Sequence, residues 1–234
     1  MKKIIAVLLV LSSLLLSFSA CGKEDDLGLQ YVMTKDGSGY IVAGAGEFSG
    51  SELVIPSVYK KKPVVSIGTE AFAGNSTITS VVIPDSVKSI GIGAFKECAE
   101  LKTVTLGNGL RSIEASAFLS CGKLESVNFG TSIETVSTGS FQKCVSLKSI
   151  TLPKSLTSID SLAFEGCTSL VTFYAASSSI KSVGFMIFAG CTSLTDVYLG
   201  VNAASDKWNE KWNYAIIEGT ESVIRATVHF GYTG

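Results

Sequence analysis

Between Leu101 and Cys121 the apolar positions follow a fixed arrangement: Leu101, Val104, Leu106, Leu110, Ile113, Ala117, Phe118 and Cys121, with polar or small residues and Leu119 between them. The alternation at Val104 and Leu106 is that of a strand with one buried face. The stretch "ASAFLSCGKL" that follows predicts a short helical or irregular turn. The arrangement then returns. Phe72, Phe95, Phe118, Phe141, Phe164 and Phe188 are spaced by 23, 23, 23, 23 and 24 residues. Cys98, Cys121, Cys144, Cys167 and Cys191 stand three residues after the last five of these, and Asn75 holds that slot in the first unit. Ile78, Leu101, Leu124, Leu147, Leu170 and Leu194 come three further on. Pro84, Gly107, Gly130 and Pro153 punctuate the end of the strand.

A unit of this length cannot bury its own apolar face, so such units fold only by stacking on one another. The predicted architecture is a mostly β repeat of the α/β class: a solenoid with one parallel sheet, six to seven coils, capped at both ends. Residues 51–200 form the repeats. Residues 29–50 read as an N-terminal cap hairpin turning at Asp36-Gly37, and residues 201–234 as a C-terminal cap. In that cap Trp208 and Trp212 are placed to cover the last coil, before a final strand around Ala226–Tyr232.

The N-terminus has a different pattern. Lys2 and Lys3 precede the apolar run "IIAVLLVLSSLLL", and "SFSAC" ends in small residues and Cys21. The run is too short for a stable span and reads as an export signal over residues 1–20. Its ending resembles a bacterial lipobox, with Phe18 in place of the usual Leu. That makes Cys21 the expected lipidation site, residues 21–28 a charged tether, and the location the bacterial cell surface. The signal contributes to the mean hydropathy of +0.40. A net charge of −1 with 17% charged residues argues against nucleic acid as partner, because a phosphate binder carries a basic face.

The repeat cysteines do not read as a metal site. They lie no closer than 23 residues, one per coil, whereas metal ligands come in close pairs. Equivalent side chains on neighbouring strands point in parallel, which favours free thiols over disulfides. Asn75 and the five cysteines are expected to form a structural ladder. No catalytic motif accompanies His229, which reads as an ordinary strand residue. "YKKKP" (Tyr59–Pro63) reads as a solvated basic loop. No cofactor or metal is expected.

The candidate binding face consists of the outward strand positions. One row runs through Val82, Thr105, Asn128, Thr151, Tyr174 and Tyr198, and its neighbour through Ser80, Thr103, Ser126, Ser149, Thr172 and Asp196. Such rows offer hydroxyls and amides to a polar ligand, with Tyr174 and Tyr198 as adjacent aromatic anchors. A Thr-rich strand face favoured by β propensity alone, or burial of the tyrosines under the cap, would also explain the residue types.

From about Tyr31 to Tyr232 these units resemble the BspA-like leucine-rich repeats, including the segment "LVIPSVYKKKPVVSIGTEAFAGN" and the Trp-containing end. The resemblance implies a right-handed curved solenoid on exported or surface proteins, and adhesion to a protein or glycan on a host or neighbouring cell. A non-enzymatic, lipid-anchored binding module is therefore expected. The alternatives are a structural envelope protein that contacts wall or neighbouring copies and, more remotely, a carbohydrate-active enzyme. The latter would need paired carboxylates, and the outward rows carry one acid, Asp196.

Overall fold

The computed structural model describes residues 27–217, 220–223 and 226–233, so the export signal, Cys21 and most of the tether lie outside the described residues. The chain opens with an antiparallel pair, β1 (Gln30–Met33) and β2 (Tyr40–Gly44). Asp36 organises the turn between them: its carboxylate accepts from the Thr34 hydroxyl at 2.6 Å and from the Ser38 N–H at 3.1 Å. Next comes β3 (Glu52–Val54), followed by a tight hairpin of β4 (Val58–Tyr59) and β5 (Lys62–Ile67). Lys60 and Lys61 form its tip, both with positive φ (45° and 61°).

Each following coil contributes a longer strand and a two-residue one. These are β6 (Ser80–Val82) with β7 (Ser89–Ile90), β8 (Thr103–Thr105) with β9 (Ser112–Ile113), and β10 (Ser126–Asn128) with β11 (Thr135–Val136). Then come β12 (Ser149–Leu152) with β13 (Ser158–Ile159) and β14 (Thr172–Ala175) with β15 (Ser182–Val183). β16 (Asp196–Leu199) starts the last coil. An antiparallel pair, β17 (Tyr214–Ile217) and β18 (Thr220–Val223), precedes β19 (Thr227–Phe230), which adds in parallel to β16.

The result is a mostly β solenoid of stacked parallel strands. Equivalent residues pair in register, such as Thr103 with Ser126 and Ser112 with Thr135. Most neighbouring coils pair twice. Besides the longer strands, which form the front, a continuous narrow ladder runs along the back through β5, β7, β9, β11, β13 and β15. The sequence reading anticipated one parallel sheet; beyond β5 the back ladder is carried by single Ser-Ile, Thr-Val or Ser-Val pairs, too short to give an alternation.

No helix forms among the described residues. The turn carrying Phe and Cys is irregular because two positions in every coil are left-handed. One is two residues before the Phe: Glu70, Gly93, Ser116, Gly139, Leu162 and Met186. The other immediately precedes the Asn or Cys: Gly74, Glu97, Ser120, Lys143, Gly166 and Gly190. Left-handed residues interrupt a right-handed helix, and each non-glycine among them costs roughly 1–2 kcal/mol. Stacking against the neighbouring coil holds them there.

The core is a column of phenyl rings. Phe72, Phe95, Phe118, Phe141 and Phe164 stack with centroid spacings of 5.1, 5.3, 5.2 and 5.6 Å, nearly coplanar in orientation. Toward the C-terminus the spacing widens to 6.2 Å between Phe164 and Phe188, and Phe173 stands edge-on to both. Phe173 replaces the valine or isoleucine of other coils, and Ala175 replaces their larger apolar side chain, so large and small exchange places. Trp208 and Trp212 are buried at this end, with Trp212 edge-on to Phe188.

The five repeat cysteines are free and buried. Each thiol reaches back to the preceding coil: Cys121 donates to the Phe95 carbonyl at 3.1 Å, and Cys144 to that of Phe118 at 3.2 Å. In the first unit Asn75 instead accepts from the N–H groups of Thr77 and Ile78, both at 2.9 Å. Burial pushes the Cys98 and Cys144 thiols up to about 12, and the thiol of Cys121 rises for the same reason. A group with a raised folded pKa contributes stability below its unfolded value and loses it as pH climbs toward the folded one. Stability should therefore fall from about pH 9 to about pH 12, by up to roughly 1.4 kcal/mol per pH unit for each such thiol. Cys144→Ala should cost ~1–2 kcal/mol at neutral pH, from a weak hydrogen bond and a small void. Urea titrations at pH 7.5 and 10.5 check both: the gap between wild type and variant should close at the higher pH. A constant gap would contradict the buried-thiol account.

Candidate functional site

The front sheet carries every residue of the predicted face. Thr103, Thr105, Ser126, Asn128, Ser149 and Thr151 are exposed, while Thr172, Tyr174, Asp196 and Tyr198 are half-buried. The period-two alternation and the in-register pairing place them in two continuous rows, as the strand pleat requires. At the N-terminal end the inner row continues through Val82 and Val54, both exposed. The character of the row thus changes along the coil, from valine through threonine and asparagine to aromatic rings.

The aromatic end is larger than the sequence suggested. Tyr174 and Tyr198 stack at 4.8 Å and 11°. The added strand β19 pairs His229 with Tyr198, and the imidazole stacks on the phenol at 4.4 Å and 8°. Tyr232, from the chain just beyond β19, leans over both tyrosines at 5.5 Å. The cap therefore covers part of the tyrosine pair and also extends it. In the adjacent row His229 Nε2 lies 2.9 Å from Asp196 Oδ1. The hydrogen bond from His229, and then that from Thr195, holds the Asp196 carboxyl below its ordinary range. Loss of solvent, followed by the charge of Asp196, raises the Tyr198 phenol above its usual value. Tyr198 is thus a neutral hydroxyl beside a carboxylate anion at physiological pH. The sequence places His229 in a strand but not in the face, because it lies 31 residues after Tyr198, outside the 23-residue spacing. The signal that could have found it is "TVHF", which reproduces the pattern of "DVYL".

The front ladder is interrupted once. It comprises one sheet of β3, β6, β8 and β10 and another of β12, β14, β16 and β19, with β10 and β12 unbonded. Leu106 N–H donates to the Asn128 carbonyl one coil on, but the equivalent bond from Phe129 N–H to Thr151 is absent. Val127 is half-buried where its counterparts Val104 and Ile150 are buried. Phe129 occupies a slot held by leucine in the flanking coils and turns its ring edge-on to Phe141 at 5.6 Å. That extra volume holds the front of the two coils apart. Behind them β11 and β13 remain paired. The gap forms a recess of about 380 Å³ lined by Val127, Asn128, Phe129, Gly130, Thr151, Leu152 and Pro153.

A second recess, of about 390 Å³, lies on the back at the C-terminal end, where Asp160, Ser161, Ser182, Lys207 and Trp208 meet. Burial, and then the charge of Glu114, raises the Asp160 carboxyl. The buried indole Nε1 of Trp208 finds no partner. Among the described residues no three His, Cys, Asp or Glu side chains gather as metal ligands.

A family-wide comparison decides the class of this scaffold. The pattern of the BspA type leucine rich repeat region matches residues 65–202, in six copies. The chain belongs to that family. A protein of similar form is the T. pallidum leucine rich repeat protein, which is 30% identical, with a TM-score of 0.70 over 78% of this chain and 89% of that one. A leucine rich cell surface protein from Faecalibacterium prausnitzii is 22% identical, with a TM-score of 0.60 over 83% of this chain and 56% of its own. A leucine-rich repeat protein from Eubacterium ventriosum is 23% identical, with a TM-score of 0.56. The latter two share the fold alone. No curated protein matches the chain. In BspA-type terms, the front rows lie on the strand face of the repeat, and the Phe and Cys columns form its interior.

Proposed function

We propose that this BspA-type protein is a non-enzymatic binding module, held on the outside of a bacterial cell by lipid on Cys21, that presents its front sheet to a partner on another surface. The observation that carries the reading is the front face itself. It combines exposed hydroxyl and amide rows with an aromatic plate whose last ring is fixed by the Asp196–His229 contact. Aromatic groups with one polar end are common anchors at binding interfaces. The cell-surface description of the Faecalibacterium prausnitzii protein fits the same placement. The front rows hold two carboxylates, Glu52 on β3 and Asp196 on β16, at opposite ends of the face, too far apart to act as an acid–base pair for glycoside hydrolysis.

A structural envelope role draws support from the N-terminal end, where β1 and β3 each terminate a sheet. Val32, Met33 and Val54 are exposed there, giving apolar edge surface for neighbouring copies.

One experiment with bacteria producing the protein tests the binding reading. Cells carrying wild type, Cys21→Ala, Asn128→Arg or the control Lys181→Glu are compared for surface retention and for attachment to immobilised matrix proteins, mucins and epithelial cells. Cys21→Ala should release the chain into the medium. Asn128→Arg should leave it on the surface and lower attachment, while Lys181→Glu changes neither. Equal attachment by Asn128→Arg and wild type would count against the front face.

A further inference from the structure

The break in the front ladder and the aromatic plate lie one coil apart, and together they form a site. Tyr174 has two ring faces. One is covered by Tyr198 at 4.8 Å. The other faces the coil of Thr151, its register partner, and a threonine side chain is too short to cover a phenol ring. On the far side of Thr151 the recess of about 380 Å³ opens. Its rims carry unspent backbone groups. Phe129 N–H and the Thr151 carbonyl lack the mutual bond that their counterparts make in the preceding coil. Its lining residues, among them Val127, Asn128, Phe129 and Thr151, are uncharged.

We propose that this recess is a carbohydrate subsite taking a neutral pyranose ring. That ring's hydroxyls reach Asn128 and the free backbone groups of Phe129 and Thr151, while a second ring of the same glycan lies over Thr151 and sets its C–H face on Tyr174, which is not among the residues lining the recess. This rests on the reading of the front sheet as the binding face and names the ligand class for it. Three features select a sugar. A hydroxyl both donates and accepts, which matches a rim offering N–H and C=O groups side by side. A pyranose has an apolar face of the size of one aromatic ring. The recess is at the small end of ligand sites, which run from about 300 to 1,000 Å³. A peptide strand is excluded from the gap itself. Inserting one would need the flanking strands about two spacings of ~4.8 Å apart, while β11 and β13 hold the same coils together behind.

The test is saturation-transfer NMR on the full chain with cellobiose, maltose, lactose and N,N′-diacetylchitobiose, and with N-acetyltriglycine amide as the peptide probe. At least one disaccharide should receive transfer, strongest at the protons of one ring face. Its affinity should fall at least tenfold in Tyr174→Ala, survive in Tyr174→Trp, and vanish in Thr151→Trp, whose indole fills the space. Circular dichroism of each variant reports folding. Transfer to no disaccharide, transfer only to the peptide, or binding unchanged in both Tyr174→Ala and Thr151→Trp overturns the proposal. The attachment assay separates this failure from that of the wider reading. If sugars do not bind and Asn128→Arg still lowers attachment, the front face stands and the carbohydrate subsite falls.

Discussion

Replacing Phe118 by alanine should remove ~3–5 kcal/mol of stability, a large share of the 5–15 kcal/mol that holds a typical domain folded. The ring is fully buried and lies between Phe95 at 5.3 Å and Phe141 at 5.2 Å. Its loss leaves a cavity and removes two stacked contacts worth ~0.5–1.5 kcal/mol each beyond simple burial. The void cannot close by local collapse. The backbone on either side is fixed by the bonds from Phe95 N–H to the Ala117 carbonyl and from Phe118 N–H to the Ser140 carbonyl. Phe72, at the end of the column, stacks on Phe95 alone, so Phe72→Ala should cost less. Urea unfolding of both variants measures the difference. Equal losses, or a loss below about 1 kcal/mol for Phe118→Ala, would show that the column is not a coupled stack.

Changing Tyr174 and Tyr198 together to serine should have the opposite profile: attachment is lost while the fold remains. Both rings are half-buried and project from strands whose inward residues, Phe173 and Val197, are untouched. Aromatic anchors at interfaces commonly account for 2 kcal/mol or more each, with non-additive sums, so affinity should drop by roughly thirtyfold or more. The change also strips His229 of its stacking partner, and Tyr232 of both rings it leans on. A modest loss of thermal stability in the cap is expected as well. Titration against the partner found in the attachment assay, with the melting curve measured alongside, separates the two effects. Unchanged affinity with an intact fold would eliminate the aromatic plate as the contact.

The repeat made the solenoid legible. Inward positions such as Leu101, Val104, Phe118 and Cys121 recur at one period and are all buried. The outward rows followed from the same register. Other features lie below what a residue pattern can carry. The left-handed turn positions are held by Glu97, Ser120, Lys143 and Leu162 as well as by glycines, so no residue type marks them. The conformation is imposed by the neighbouring coil. The gap beside β10 arises from Phe129, which in sequence is one more apolar residue in an apolar slot. Only the volume of its neighbours reveals the mismatch. His229 joins the aromatic row after a detour through β17 and β18 that breaks the period. The expected lipidation at Cys21 lies outside the described residues.

The unbonded seam between β10 and β12 also affects how the molecule comes apart. A stacked repeat behaves as a one-dimensional chain of units coupled to their neighbours, and its cooperativity is only as long as its weakest coupling allows. Here one junction keeps its back ladder and lacks its front one. The boundary between folded and melted coils therefore settles at that junction. The coils ending at β10 and those starting at β12 form two blocks, each of which opens and closes with its own free energy. Amide exchange would read them as two plateaus of protection along a single continuous core.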